Sequence, residues 1–244
     1  THRLTRKIKI LKMHQKETKM QNLLNLAKLA ALKAGDEIIK FYAHKGFDDE
    51  ILATRSTLPE STRSQNGPDF EVNLKTDHSP VTSADLAANA AIFETLKSSQ
   101  IQICSEEKIL GESARTFWLI DPLDGTKDFI EGSGEFCVCI ALIERGRPIL
   151  AVISIPISGD IYSSNGGGVY KNGVLLARPT SAPQIFMHGR HSKSEKYPQF
   201  AQKFKMQLVR KGSAIKFCIL AEGGASAYAR FSDCSLWDIA AGDF

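Results

Sequence analysis

The chain has 244 residues, 43% of them hydrophobic and 24% charged, with 31 basic and 27 acidic side chains giving a formal charge of +4. This composition excludes collagen-like and disordered classes and describes a globular protein of one large or two small domains, able to bury a core without disulfide or metal staples. The longest apolar run, Cys137 to Ile143, falls far short of the roughly 20 residues a membrane-spanning helix needs.

Residues 1–19 hold seven basic side chains, Arg3, Arg6, Lys7, Lys9, Lys12, Lys16 and Lys19, against Glu17, so the remainder carries −2. The stretch lacks the apolar region and small-residue cleavage site of a secretory signal. We expect a disordered or non-native extension; an arm for RNA or an anionic membrane surface is the alternative. Met13 and Met20 are both candidate starts.

From Met20 to Tyr42, Leu23, Leu24, Leu26, Leu29, Leu32, Ile38, Ile39 and Phe41 recur at helical spacing and predict one long amphipathic helix. Residues 43–73 lose that period, and Ser56 to Pro68 reads as an exposed loop. A second helix is predicted from Ser83 to Leu96 with Thr82 as its N-cap. Strands follow at 101–104, 117–120, 136–143, 149–156, 161–163 and 169–170, joined by short turns that predict a largely antiparallel sheet. Beyond Arg178 the pattern alternates: strand 184–188, helix 195–206, helix 213–221, strand 227–231 and a helix opening at Ser235. That is a second, α/β half. The last helix has barely begun at Phe244, from which we expect an incomplete C-terminus. Five cysteines without a C-x-x-C pair read as reduced buried thiols, with Cys137 and Cys139 on one face of a strand.

The densest chemical signal is Trp118-Leu-Ile-Asp-Pro-Leu-Asp-Gly-Thr-Lys-Asp-Phe129. Asp121, Asp124 and the Leu123 carbonyl can converge on hard cations. The amides of Gly125, Thr126 and Lys127 would face a phosphate if a helix starts there. Carboxylates beside a phosphate nest suggest metal-assisted phosphoryl transfer. Glu106, at a strand end, offers another ligand or an exposed loop carboxylate. Asp85 and Asp238 each stand three residues after a capping hydroxyl, Thr82 and Ser235, so each has a structural reading as a capping box beside the functional one.

Taken together, Lys75-x-Asp-x-Ser-Pro-Val-Thr-x-Ala-Asp85, Ser-Glu-Glu107, Asp-Pro-Leu-Asp-Gly-Thr126, Gly-Ser-x-x-Lys216 and Trp-Asp-x-Ala-Ala-Gly242 resemble, in order and from Met20 onward, the lithium-sensitive, magnesium-dependent phosphatases of the inositol monophosphatase superfamily. The continuation Lys127-Asp-Phe129, with Lys-Phe-Cys218 and Tyr-Ala-Arg-Phe231, is similar to its bisphosphate nucleotidase branch, the CysQ type. The resemblance implies an α/β (α+β) fold, a layered αβαβα sandwich of the inositol monophosphatase/fructose-1,6-bisphosphatase type, with an N-terminal half over 20–178 and a C-terminal half over 179–244. It implies that Glu106, Asp121 and the Leu123 carbonyl hold a first Mg2+ and that Asp121, Asp124 and Asp238 hold a second. Asp85 and Thr126 would then orient the attacking water. Glu106, Leu123, Asp124, Gly125, Thr126, Lys127, Arg190, Gly212, Ser213, Lys216, Arg230 and Asp238 would meet the substrate. Arg230 stands where inositol phosphatases tend to place an acid, which suits a second phosphate. The family's Ser-Arg-Ser-His segment has only Gly189-Arg-His-Ser192 as its counterpart, so Arg190 alone is carried over.

The expected reaction is hydrolysis of adenosine 3',5'-bisphosphate to AMP and phosphate, clearing a by-product of sulfate assimilation in the cytoplasm. An inositol or sugar-phosphate phosphatase is the alternative. No nucleic acid polymer is expected as a partner, peripheral contact with the cytoplasmic face of the inner membrane is left open, and the oligomeric state is not legible.

Overall fold

The computed structural model describes residues 2–44, 71–75, 80–109 and 114–244, with the side chains of 2–13 and 44 excepted. Helix α1 spans His2–His44 and so includes most of the basic stretch. It continues the helix without a break because no glycine or proline precedes Gly35 and Lys, Leu, Ile, Gln and Glu sustain helix. The buried stripe of α1 is carried by Leu24, Ala27, Ala30, Ala31, Ala34, Ile38, Phe41 and Tyr42, whereas Leu29 and Leu32 are exposed. Small alanines let the helix lie close on its neighbours. The loop expected over Ser56–Pro68 lies outside the described residues.

Strands β1 (Val72–Leu74) and β2 (Pro80–Thr82) pair antiparallel and lead into α2 (Ser83–Leu96). Thr82 caps α2 in a full capping box with Asp85, as its sequence predicts. A seven-stranded sheet follows in simple order: β3 (Gln102–Ser105), β4 (Thr116–Asp124), β5 (Cys137–Glu144), β6 (Arg147–Ile155), β7 (Asp160–Ser164), β8 (Val169–Lys171) and β9 (Val174–Leu175). All pairs are antiparallel except β3 with β4, which is parallel. Between β4 and β5 lies the short helix α3 (Thr126–Glu131).

The two faces of this sheet alternate residue by residue. Trp118, Ile120, Val138, Ile140, Leu142, Leu150 and Val152 pack under α1 and α2. Leu119, Cys137, Cys139, Ala141, Ile143, Ala151 and Ile153 pack on the opposite side against α5 (Ile215–Ala221) and α6 (Trp237–Asp243). The remaining layers come from the C-terminal half, where β10 (Ile185–Gly189) lies between β11 (Gln207–Lys211) and β12 (Ala227–Tyr228), all parallel. Helix α4 (Lys196–Lys203) covers this small sheet through Tyr197 and Ala201 on Phe186. The order helix pair, large sheet, helix pair, small sheet, helix is the layered αβαβα sandwich implied by the sequence.

Three local expectations are corrected. Between the helix expected over 195–206 and the one expected from Ser213 the sequence predicts no element, yet Gln207–Lys211 forms β11 and pairs along β10 in register from Ile185↔Gln207 to Gly189↔Lys211. The helix expected from Ser213 starts at Ile215, because Ser213 sits at φ 47, in the left-handed region that interrupts a right-handed helix. The strand expected over 227–231 keeps only Ala227 and Tyr228. Among the described residues, no helix is long and apolar enough to cross a membrane.

Candidate active site at the junction of the two halves

Asp121 and Asp124 are three apart, so in a regular strand they would point to opposite faces. Strand β4 avoids this with a bulge: Asp121 pairs with Cys139 and Asp124 with Cys137, so Pro122 and Leu123 together oppose Val138 alone. The bulge turns both carboxylates to one side. Leu123 N–H donates to Asp121 Oδ1 at 3.1 Å, fixing the turn from within. Gly125 follows at φ 96, and a Cβ there would come within 2.9 Å of the Glu135 carbonyl oxygen, so only glycine lets the chain swing from β4 into α3.

The third carboxylate arrives from the far end of the chain. Oxygens of Asp121, Asp124 and Asp238 all lie within 4.8 Å of one another. Burial, followed by repulsion from Glu106, Asp124 and Asp238, pushes the Asp121 carboxyl well above its usual range. Burial and then Asp238 hold Asp124 at about 6, and Asp238 is raised too, chiefly by burial. Three gathered oxygens that resist ionisation fit a hard divalent cation, which turns their repulsion into ligation. Glu106 faces the same charges, but in this arrangement its Oε1 accepts from Lys75 Nζ at 2.7 Å, and Lys75 also reaches Glu107 Oε1 at 2.7 Å.

Asp85 stands beside this cluster on the first turn of α2. Thr126 Oγ1 lies 3.1 Å from Asp85 Oδ1 and 3.1 Å from the Leu123 carbonyl, two acceptors for its one proton. The other oxygen of Asp85 accepts from Thr82 N at 2.8 Å and from Thr82 Oγ1 at 2.5 Å. The structural and functional readings of Asp85 therefore coexist, one on each oxygen. Burial raises the Asp85 carboxyl to about 6. Asp238 keeps part of a capping arrangement, a hydrogen bond with the Ser235 backbone.

An open cavity of about 290 Å³ collects nearly every residue singled out in the sequence. Glu106, Asp121, Leu123, Asp124, Gly125, Thr126, Lys127, Arg190, Gly212, Ser213, Lys216, Arg230 and Asp238 line it, with Asp85 reaching it through Thr126. Arg230 and Lys216 have partners within the protein. Arg230 Nη1 pairs with Asp238 Oδ2 at 3.0 Å. Lys216 is buried, lies 3.2 Å from the Lys211 carbonyl and contacts the Ser213 carbonyl; burial lowers its pKa.

The sequence did not single out the acidic brace beneath Arg190. Arg190 Nε lies 2.9 Å from Asp128 Oδ1 and its Nη2 2.7 Å from Glu135 Oε2. Glu135 also accepts from Lys211 Nζ at 2.9 Å and Gly212 N at 2.7 Å. His191 Nε2 stands 3.5 Å from Asp128 Oδ2. Glu135 thus ties the segment entering β5 to β10 and β11, stitching the two sheets together at the cavity wall. The Asp128 of the Lys-Asp-Phe triplet carried the only sequence hint.

A sequence profile of the inositol monophosphatase family matches residues 20–244. The 3'(2'),5'-bisphosphate nucleotidase CysQ of Shigella flexneri is 40% identical over 184 residues, covering 71% of this chain and 75% of the relative. That of Haemophilus influenzae is 30% identical over 237 residues, covering 90% and 79%. Among solved structures, CysQ from Bacteroides thetaiotaomicron superposes with a TM-score of 0.69 at 30% identity, over 91% of this chain and 84% of that one. With its layers, its acidic junction and its sequence in agreement, the chain belongs to the inositol monophosphatase family.

Proposed function

We propose that the protein is a magnesium-dependent 3'(2'),5'-bisphosphate nucleotidase that converts adenosine 3',5'-bisphosphate to AMP and phosphate. The observation that carries this is the convergence of Asp121, Asp124 and Asp238 within 4.8 Å, beside the Asp85–Thr126 hydrogen bond. Glu106, Asp121, the Leu123 carbonyl, Asp124 and Asp238 would hold Mg2+, which supplies positive charge for the phosphoryl oxygens and the leaving ribose oxygen.

The chain's own residues provide the rest. With its O–H donating a hydrogen bond to Asp85 Oδ1, Thr126 Oγ1 offers a lone pair to the attacking water and orients it toward phosphorus. Asp85, titrating near 6, is mostly ionised at neutral pH and can take the proton that water sheds through the Thr126 hydroxyl. As the P–O bond to ribose breaks, the amides of Gly125, Thr126 and Lys127 face the departing phosphate. Arg190, Ser213, Lys216 and Arg230 form a cationic and polar wall for the second phosphate and the nucleoside. That wall, and the nucleotidases among the relatives, favour a nucleotide over an inositol phosphate. Five free cysteines support action in a reducing cytoplasm.

Phosphate release from adenosine 3',5'-bisphosphate and inositol 1-phosphate, with Mg2+ and after chelation, tests the reading. The nucleotide should be preferred and the rate should vanish without metal; preference for the inositol substrate would overturn it.

A further inference from the structure

We propose that Cys137, Cys139 and Asp124 form a site for a thiophilic divalent cation, zinc or cadmium, which draws Asp124 away from magnesium. Cys137 and Cys139 are successive same-face residues of β5, directly opposite the Asp124 and Asp121 of the β4 bulge. Their sulfurs lie 3.8 Å apart, and Cys137 Sγ lies 3.7 Å from Asp124 Oδ2. These spacings match a tetrahedral ion: bonds of about 2.3 Å to sulfur place two sulfurs about 3.8 Å apart, and a carboxylate at about 2.1 Å places oxygen about 3.6 Å from sulfur. One ligand atom from each of the three residues falls within 4.8 Å of the others. Asp124 lines the catalytic cavity, so an ion can enter there, and the two thiol protons leave to solvent as it binds.

Oxidation is the weaker use of this pair. Same-face neighbours on a strand have Cα atoms about 6.6 Å apart, near the upper limit of about 6.8 Å for a disulfide, so a bond would distort the central strand. Magnesium has little affinity for sulfur, whereas a d10 ion takes thiolate with carboxylate readily. The catalytic carboxylates thus carry a soft flank on the β5 side, with Asp124 shared between hard and soft ions. The loss of turnover rests on the function proposed above; the binding itself does not.

The test uses the full chain, metal-free and reduced, with the more accessible thiols removed as Cys104→Ala and Cys234→Ala. Titration with Cd2+ should raise the ultraviolet thiolate-to-cadmium charge-transfer band, saturating at one ion per chain and surviving Cys218→Ala. Cys137→Ser with Cys139→Ser should abolish the band and weaken Cd2+ inhibition of Mg2+-supported phosphate release by more than about 100-fold, beyond what loss of a mere outer-sphere partner costs. Circular dichroism checks that the double variant folds. Should it not, Cys139→Val alone keeps the apolar packing and must still remove the two-sulfur band. Absence of the band, or its persistence in these variants, overturns the site even if neither phosphate ester is hydrolysed. A band with turnover indifferent to Cd2+ overturns the sharing of Asp124.

Discussion

Thr126 Oγ1 and Asp85 Oδ1, 41 residues apart in the chain, meet at 3.1 Å across the junction of α2 and α3. Because Thr82 holds the other carboxylate oxygen, Asp85 cannot swing away without breaking the cap of its own helix. Thr126→Ala should lower kcat by about 10²–10⁴-fold, the range for a lost proton-transfer partner, with KM little changed. Thr126→Ser should retain most of the rate. Steady-state kinetics of phosphate release decide it, and a large rise in KM at constant kcat would refute the role.

Asp121→Asn should abolish turnover without unfolding the chain. Its buried carboxyl is pushed upward by burial and by three acidic neighbours, while an asparagine oxygen still accepts from Leu123 N–H. The metal-free variant should therefore melt no lower than the parent, and the rise in melting temperature produced by Mg2+ should shrink or disappear. Paired thermal melts with and without Mg2+ measure both effects.

The acids also set a pH dependence. Asp85 and Asp124 titrate near 6 in the folded protein, above the 3.8 of a free aspartate. The folded state thus binds their protons more tightly than the unfolded chain. Their contribution to stability is fully present below about pH 4 and is lost as pH rises through about 6. Metal-free protein should lose this part of its stability across that window, and the stabilisation conferred by Mg2+ should grow over the same range. Melting curves at several pH values test the sign; a Mg2+ effect that declines toward neutral pH would contradict it.

Gly212→Ala should damage the brace rather than the chemistry. A Cβ at this position would sit 2.8 Å from Asp128 Oδ2, from Glu135 Cβ and from the Glu135 carbonyl oxygen. The expected cost is about 1–3 kcal/mol, typical of overpacking, accompanied by a higher KM because Arg190 and Lys211 share Glu135. Chemical denaturation and kinetics together separate this from a loss of kcat alone.

The sequence made α2 legible because Thr82 and Asp85 write its start locally, and the acidic motif because its residues are contiguous. The strand carrying that motif was harder to read. Pro122 argues for a strand end, yet β4 runs on to Asp124 because the bulge accommodates a residue without an N–H. Leu29 and Leu32 read as core at helical spacing, whereas the alanines of α1 take the buried face. The Arg190–Glu135–Lys211 brace draws on three segments and leaves no local period, and the pairing of Lys75 with Glu106 is equally non-local. Short strands such as β9 have too few residues to show any period.

Asp121 and Asp124 precede Asp238 by more than a hundred residues, and Asp238 reaches them only when α6 packs against the large sheet. A chain emerging from the ribosome thus carries most of its acids long before it can complete their cluster. On the proposed function, activity becomes a readout of finished assembly: a product that stops short of Trp237 lacks the Asp238 carboxylate and should release no phosphate.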